Sequence, residues 1–195
     1  MEIHVNDVLR PEIDKYQEIW GHEAYHRYSP GQENVKRFME VVHPSSLSRV
    51  IDLGCGAGLA GIELRDEFHM MVHWLDIVGH DELNEKVDKR RFIKSALWQD
   101  WPSPARIFDW GFCCDVLEHV PTEYTMLSIA NILRGCLHAW LQIAFVPDSM
   151  GQLINKPLHL TVQPFTWWRD RIASLGKLTD ARDLGQQGLF VVERY

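Results

Sequence analysis

The sequence predicts an α/β fold, with a mostly parallel sheet and helices on both of its faces. Apolar runs of strand length alternate with helical patterns of apolar residues along most of the chain, an order typical of parallel sheets. One run, 50–53, leads directly into a glycine-rich turn and then into a helix that begins near Leu59. A second run, 70–75, ends in Asp76. In such folds ligands bind at the carboxyl ends of the strands.

The glycine-rich turn is the most informative stretch of the chain. Residues 52–58 read D-L-G-C-G-A-G. Glycines at alternate positions remove Cβ atoms where the chain turns tightly, so backbone N–H groups can approach a ligand closely. Leu59 breaks the dinucleotide pattern G-x-G-x-x-G, and the Asp52 carboxylate disfavours a pyrophosphate. An ammonium or sulfonium ligand suits this turn better, and a turn without any ligand is the alternative.

Composition sets limits on function. The 195 residues fit about one domain, and 46% hydrophobic with 24% charged residues are ordinary globular values. The formal net charge is −7, and the basic residues form only short clusters. This disfavours non-specific nucleic-acid binding, which needs a basic surface.

The four cysteines show no C-x-x-C spacing, so the sequence indicates neither a zinc site nor a disulfide framework. No other metal cluster stands out. No apolar run reaches about 18 residues, and the N-terminus lacks a signal-peptide pattern. We therefore expect a soluble, cytoplasmic protein.

The whole chain, 1–195, is predicted to be a single domain. Residues 1–47 contain two helical patterns, one opening at Pro11 and one from about Gln32 to Val42. They form either a cap on the sheet or a lid over the ligand, and in the second case Tyr28 contacts the ligand. Residues 48–195 form the core.

The core pattern predicts seven strands separated by helices. The strands lie near 50–53, 70–75, 91–95, 108–114, 139–145, 177–182 and 188–193, and the helices near 59–68, 122–133 and 165–176. The segment 146–164 is long and irregular, which favours a functional role.

Two motifs carry a resemblance to a known family. The D-x-G-x-G-x-G turn resembles the first motif of class I S-adenosylmethionine-dependent methyltransferases, and D-V-L-E-H-V-P at 115–121 resembles their L-E-H loop after the fourth strand. The resemblance runs from about residue 48 to the C-terminus. It is closest to small methyltransferases of bacteriophage genomes, judged by S-P-G at 29–31, C-C-D-V-L-E-H-V-P at 113–121, L-H-L-T at 158–161 and W-W at 167–168. It implies a Rossmann-like, seven-stranded sheet whose last strand is antiparallel.

The resemblance implies S-adenosylmethionine as cofactor. Asp76 is placed to accept hydrogen bonds from both ribose hydroxyls, and a solvated strand-end aspartate is the alternative. The third strand ends near the adenine, where many members carry an aspartate and this chain has Ser95. The full set of expected cofactor contacts is Tyr28, Asp52, Gly54, Cys55, Gly56, Gly58, Asp76, Ile77, Ser95, Ala96, Leu97, Cys114, Asp115 and Val116.

Methyl transfer from a sulfonium depends largely on positioning, and a base is needed only when the acceptor must lose a proton. His119 and His159 are the candidate bases because histidine titrates near neutral pH, and His119 is preferred because its loop position matches the resembled family more closely. Asp115 is the candidate that orients a histidine or binds a hydroxyl. We expect the two histidines on opposite walls of the pocket. A purely structural role for each remains open, and a nucleophilic Cys114 is disfavoured.

The predicted function is methyl transfer by in-line displacement to a small molecule or an exposed group. A non-catalytic S-adenosylmethionine-binding protein, acting as a partner or inhibitor, is the alternative. A nicotinamide-dependent reductase is disfavoured by the position of the third glycine.

Overall fold

The computed structural model describes residues 5–26, 29–79, 83–101 and 108–195. Its centre is one seven-stranded sheet. The strands are β1 (Arg49–Leu53), β2 (Met71–Asp76), β3 (Phe92–Lys94), β4 (Phe108–Cys114), β5 (Cys136–Ala144), β6 (Lys177–Asp183) and β7 (Gln187–Glu193). Their spatial order is β3-β2-β1-β4-β5-β7-β6. Strand β7 is inserted between β5 and β6 and runs antiparallel to both. The predicted Rossmann-like sheet with an antiparallel last strand is confirmed.

Six α-helices accompany the sheet in the described part of the chain. They are α1 (Val5–Trp20), α2 (Glu23–His26), α3 (Pro30–Val42), α4 (Leu59–Asp66), α5 (Thr125–Gly135) and α6 (Phe165–Leu175). Helix α4 begins at the predicted residue. The predicted start of the first helix at Pro11 is wrong, because α1 begins at Val5 and includes the proline. Leu9 packs against the main core. This contact favours continuing the helix through Pro11 despite the lost backbone hydrogen bond.

The helices cover both faces of the sheet. Along β1, Val50 packs in the core under α3 and α4, whereas its neighbour Ile51 packs in the core under α5 and α6. Successive side chains of a strand point to opposite faces, so a strand that is covered twice is apolar at consecutive positions. This explains the continuous apolar runs in the sequence. No helix of the described ranges has the length and apolar character needed to span a membrane.

The strand order determines where a ligand can bind. From β1 the sheet extends through β2 to one side and through β4 to the other. The loops after β1 and β4 therefore leave the sheet in different directions and open a crevice at their carboxyl ends. Helix α1 lies at this edge, where Ile19 packs with Ile154 and Leu158. The division into a cap of residues 1–47 and a core of 48–195 stays a prediction.

Candidate functional site

The glycine-rich turn after β1 has a backbone conformation that glycine adopts readily and other residues rarely do. Gly54, Gly56 and Gly58 have φ angles of +70°, +53° and +82°, a region that side chains with a Cβ rarely adopt. A Cβ on Gly54 would lie 2.5 Å from Val116 Cγ2, and one on Gly56 would lie 3.1 Å from Trp20 Cζ2. The turn is therefore enclosed by the loop after β4 on one side and by α1 on the other.

Asp76, at the end of β2, is bonded to the glycine-rich turn. Its Oδ2 accepts a hydrogen bond from the Gly56 N–H at 2.8 Å, and its Oδ1 accepts one from the Val78 N–H at 3.0 Å. An ionised carboxylate offers about four acceptor positions. The geometry fixes the carboxylate at the crevice beside the turn.

Asp52 has a structural role that the sequence did not reveal. Its Oδ2 accepts a hydrogen bond from the Gly61 N–H at 2.9 Å, so the carboxylate satisfies a backbone group in the first turn of α4. Burial raises the pKa of Asp52 to about 7. The Gly61 hydrogen bond lowers this pKa in part, and the charge of Asp76 raises it further. Asp52 also lines the larger cavity described below.

The groups expected near an adenine ring have partners within the protein. The Ser95 hydroxyl donates to the Ala96 carbonyl at 3.2 Å, and the Ala96 N–H donates to Gln99 Oε1 at 3.0 Å. Gln99 carried no motif, so sequence reasoning missed it. The backbone at the end of β3 is held in place by this local network.

Two adjacent cavities occupy the crevice, one of about 710 Å³ and one of about 110 Å³. Six residues line both of them: Trp20, Tyr25, Gly54, Gly56, Asp115 and His119. Among the predicted cofactor residues, the larger cavity also contacts Asp52, Cys55 and Cys114, and the smaller also contacts Asp76, Ile77, Ser95, Ala96, Leu97 and Val116. Gly58 lines neither, and Tyr28 lies outside the described residues.

The cavity walls are acidic. Asp52, Asp115 and Asp148 line the larger cavity, and Glu12 and Asp76 line the smaller one. Among the described residues on these walls there is no lysine or arginine. Such walls suit a cationic ligand and disfavour a ligand with phosphate groups, which would need positive partners.

Helix α1 contributes residues to the ligand site that sequence reasoning missed. Glu12, Tyr16 and Trp20, spaced four apart, line the smaller cavity. The Tyr16 hydroxyl lies 2.7 Å from His119 Nδ1. The sequence has no motif at these positions. The polar groups of Glu12 and Tyr16 on one helix face are the only sign in the sequence that this face meets a ligand site.

The structure brings the three predicted catalytic residues together. The rings of His119 and His159 are edge to face with centroids 4.6 Å apart, and His119 Nε2 lies 4.0 Å from Asp115 Oδ2. The expectation that the histidines lie on opposite walls is wrong, since they touch. Asp115 has a φ of +59°. A left-handed backbone at a residue with a side chain is uncommon and is concentrated at functional sites.

His159 is held by its neighbours in one tautomer. The Glu118 carbonyl accepts hydrogen bonds from Leu160 N and Thr161 N at 2.8 and 2.9 Å, which fastens this segment to the loop after β4. His159 Nδ1 lies 2.6 Å from the Val146 carbonyl. A carbonyl only accepts, so Nδ1 carries the proton and Nε2 holds a lone pair when the ring is neutral. Burial and the charge of His119 lower the pKa of His159.

Two buried groups lie behind this cluster. Glu118 is fully buried, and its Oε1 accepts from the Ala144 N–H. Burial, together with the charge of Asp115, raises the pKa of Glu118 well above its ordinary value. Cys114 donates its S–H to Gln142 Oε1 at 2.8 Å, and burial raises the pKa of this thiol. A protonated, hydrogen-bonded thiol is a poor nucleophile, in line with the sequence prediction.

No protein-family model matches the sequence, and no curated protein matches it. Solved structures, in contrast, match along nearly the whole chain. A TehB-like S-adenosylmethionine-dependent methyltransferase from Corynebacterium glutamicum is 16% identical, with a TM-score of 0.65 over 95% of this chain and 100% of the other. The N-methyltransferase NodS from Bradyrhizobium japonicum, in complex with S-adenosylhomocysteine, is 11% identical, with a TM-score of 0.66 over 94% and 98%.

A third structure extends this pattern. Magnesium protoporphyrin IX methyltransferase from Synechocystis, with S-adenosylhomocysteine bound, is 17% identical, with a TM-score of 0.59 over 95% of both chains. All three structures are named as methyltransferases, and their identities to this chain are low. What they share with this chain is its sheet with flanking helices. The chain therefore has the Rossmann-like fold of S-adenosylmethionine-dependent methyltransferases.

Proposed function

We propose that the protein is an S-adenosylmethionine-dependent methyltransferase. The observation that carries the proposal is the hydrogen bond from the Gly56 N–H to Asp76 Oδ2, at the edge of a cavity with acidic walls. This hydrogen bond holds the Asp76 carboxylate next to the glycine-rich turn. A carboxylate can accept from the two hydroxyls of a ribose, and the glycines let a ligand approach the backbone closely. Structures of the same fold that hold S-adenosylhomocysteine support this reading.

The described residues fit this cofactor. In the proposed complex Asp76 accepts the ribose hydroxyls, and Ile77 with residues 95–97 surrounds the adenine. The Gly54–Gly56 turn supports the methionine end, and the acidic walls balance its positive charges. Residues 114–116, at the carboxyl end of β4, border the sulfonium. When bound, the cofactor supplies a methyl group on a positively charged sulfur, and the protein positions the acceptor in line with it.

The acceptor side lies in the larger cavity, at Asp115, His119 and His159. The size of this cavity fits a small molecule or an exposed group of a larger acceptor. If the acceptor must lose a proton, the best-placed base is His159, because its Nδ1 is committed to the Val146 carbonyl and Nε2 keeps its lone pair. The Tyr16 hydroxyl can donate to His119 Nδ1 or accept from it, so this contact does not fix the tautomer of His119 as the Val146 carbonyl fixes that of His159. We therefore prefer His159 to His119 as base, whereas the sequence motif favoured His119.

Two finer parts of the proposal rest on sequence alone. The closer kinship with small bacteriophage methyltransferases depends on the motifs at 29–31, 113–121, 158–161 and 167–168. The second part is a cytoplasmic location. Both stay predictions.

Calorimetry with S-adenosylhomocysteine and with NAD at equal concentration tests the cofactor assignment. We expect saturable binding of S-adenosylhomocysteine and none of NAD. Absence of S-adenosylhomocysteine binding, or equal binding of NAD, would contradict the proposal. A screen of acceptors with methyl-labelled S-adenosylmethionine then separates an enzyme from a cofactor-binding partner, because only the enzyme transfers the label.

A further inference from the structure

We infer that Asp115, His119 and His159 bind a divalent first-row transition-metal ion next to the methyl-transfer site. The binding itself is independent of the proposed function, whereas the catalytic role given to the ion below rests on it. Neither the sequence nor the fold indicated such a site, because its ligands come from two loops that are 40 residues apart.

The donor atoms are close enough for one ion. One donor atom from each of the three side chains lies within 4.8 Å of the other two. Around a zinc-sized ion with bonds of 2.0–2.2 Å, neighbouring donor atoms lie about 3–3.5 Å apart. The side chains must therefore draw together by about 1 Å, which rotations about their χ angles can provide. All three are partly buried at the cavity wall.

The outer hydrogen bonds are those of histidine metal ligands. A ligating histidine usually donates its second ring N–H to a carbonyl, carboxylate or water, and this bond fixes the ring. His159 Nδ1 lies 2.6 Å from the Val146 carbonyl, which accepts its proton. His119 Nδ1 lies 2.7 Å from the Tyr16 hydroxyl, which can also accept a hydrogen bond. Both Nε2 atoms are then available for the ion.

The charges around the cluster favour a cation. The described cavity walls hold Asp52 and Asp148 in addition to Asp115, with no lysine or arginine to compete. Glu118 interacts electrostatically with Asp115. A side-chain hydrogen bond also joins Glu118 to Asp115 and holds the Asp115 carboxyl group beside the two histidines.

The donor set selects the kind of ion. Two imidazole nitrogens and one carboxylate suit Zn²⁺, Fe²⁺, Co²⁺ or Mn²⁺. Mg²⁺ and Ca²⁺ prefer oxygen ligands throughout. Three protein ligands also leave coordination positions that face the larger cavity, where the acceptor is proposed to bind.

An ion at this place would make the acceptor a hydroxyl compound. A hydroxyl oxygen beside the ion loses its proton to solvent more readily, because the cation stabilises the resulting alkoxide. The oxygen lone pair then forms the new C–O bond, and the electrons of the broken C–S bond return to sulfur, which leaves neutral S-adenosylhomocysteine. In this case His159 is a ligand, and the ion replaces it as the group that promotes proton loss.

Metal titration of the tag-free, chelator-treated protein tests the inference. We expect calorimetry to show one equivalent of Zn²⁺, and Co²⁺ to give the visible absorption of a site with nitrogen and oxygen ligands. Removing an outer hydrogen-bond partner typically weakens a metal site 10–100-fold. His159→Ala, which removes a ligand, should therefore weaken Zn²⁺ binding by more than about 100-fold, and His119→Ala and Asp115→Asn should also weaken it strongly. Tyr16→Phe should cost about 10–100-fold.

His138→Ala is the matched control. His138 lies near the amino end of β5, stacked on Trp110, and its loss should leave Zn²⁺ affinity unchanged. No one-to-one binding by the wild-type protein, or equal affinity in His159→Ala and His138→Ala, would overturn the inference. If a variant does not fold, the wild-type Co²⁺ spectrum still decides. S-Adenosylhomocysteine binding is measured separately, so failure of the metal site and failure of the proposed function are distinguishable.

Discussion

The hydroxyl of Tyr16 lies 2.7 Å from Nδ1 of His119 and so joins the N-terminal helix to the loop after β4. The two residues are 103 positions apart in the chain. Burial, with the neighbouring Tyr25 and nearby carboxylates, raises the pKa of Tyr16 well above its ordinary value, so the phenol keeps its proton. Through this contact α1 becomes a wall of the ligand site and orients one of its histidines.

Tyr16→Phe removes this hydrogen bond while keeping the ring. We expect the free energy of unfolding to fall by about 0.5–1.5 kcal/mol, the usual net value of such a bond, in urea titrations. Tyr195→Phe is the control, because Tyr195 is 81% exposed and its hydroxyl donates to the Ala173 carbonyl at the surface. Its effect should stay within about 0.5 kcal/mol. Equal effects in the two variants would argue against a significant Tyr16–His119 bond.

Gly56→Val should abolish S-adenosylhomocysteine binding. Gly56 has a φ of +53°, and its N–H is bonded to Asp76. A β-branched side chain would strain this backbone and fill space between the turn and Trp20. Gly185→Val is the control, because Gly185 also has a positive φ, of +86°, but a Cβ there has no atom within 4 Å. It should lose stability and keep S-adenosylhomocysteine affinity. Normal binding by Gly56→Val would refute the assignment of the turn.

Asp76→Asn tests the ribose contact by calorimetry. The amide nitrogen cannot accept, so we expect S-adenosylhomocysteine binding to weaken by about 1.5–3 kcal/mol for each charged hydrogen bond lost. Asp109→Asn is a suitable control, because Asp109 also accepts a backbone N–H, from Arg49 at 2.7 Å, but lies at the start of β4, far from the crevice. An unchanged dissociation constant for Asp76→Asn would show that this residue does not bind the ribose.

The parts of the site that follow from local sequence were predictable. The glycine-rich turn and Asp76 are fixed by the strand–turn–helix pattern and by the spacing to the next strand, and both lie at the same crevice in the structure. The antiparallel insertion of β7 came from the family resemblance. The spacing of residues along the chain does not by itself show which strands β7 pairs with.

The parts of the site that the sequence did not predict depend on tertiary contacts. His119 and His159 touch because the Glu118 carbonyl binds the backbone of Leu160 and Thr161, a pairing that no periodicity encodes. Tyr16 reaches His119 because Ile19 packs α1 on the loop after β5. The helix-capping role of Asp52 was missed since the carboxylate was assigned to a ligand alone.

Asp52 predicts a dependence of stability on pH. Burial raises its pKa from 3.8 to about 7 in the folded protein. The folded state then binds the proton more tightly than the unfolded state, so the free energy of unfolding falls as pH rises from about 4 to 7, and the loss is complete above 7. The largest possible loss is about 4 kcal/mol, from about three pKa units.

Asp52→Asn isolates this contribution, because the amide keeps an acceptor for the Gly61 N–H and does not titrate. Urea titrations at about pH 5 and about pH 8 should show a smaller fall in stability for the variant than for the wild type. Other buried acids, such as Glu118, titrate in both proteins and cancel in the difference. Identical falls would mean that Asp52 has an ordinary pKa.

Asp148 predicts a local change in the loop that carries His159. Its Oδ1 accepts a hydrogen bond from Gly151 N at 2.6 Å, and its Oδ2 accepts from Leu158 N and His159 N at 2.8 and 3.1 Å. In Asp148→Asn the amide keeps one accepting oxygen, so at least one of these N–H groups loses its partner. Bonds to a charged acceptor contribute about 1.5–3 kcal/mol when well formed, and partial exposure of Asp148 reduces this value.

Hydrogen exchange measures the effect directly, since amides exchange when their local structure opens. We expect the amides of residues 151, 158 and 159 to exchange faster in Asp148→Asn, while those in the centre of β5 keep their wild-type rates. Asp170→Asn serves as the control, because Asp170 is exposed and pairs only with its neighbour Arg169 in the described structure. If exchange around His159 is the same in both variants, the loop is held by the Glu118 carbonyl and by packing, and Asp148 does not position the histidine.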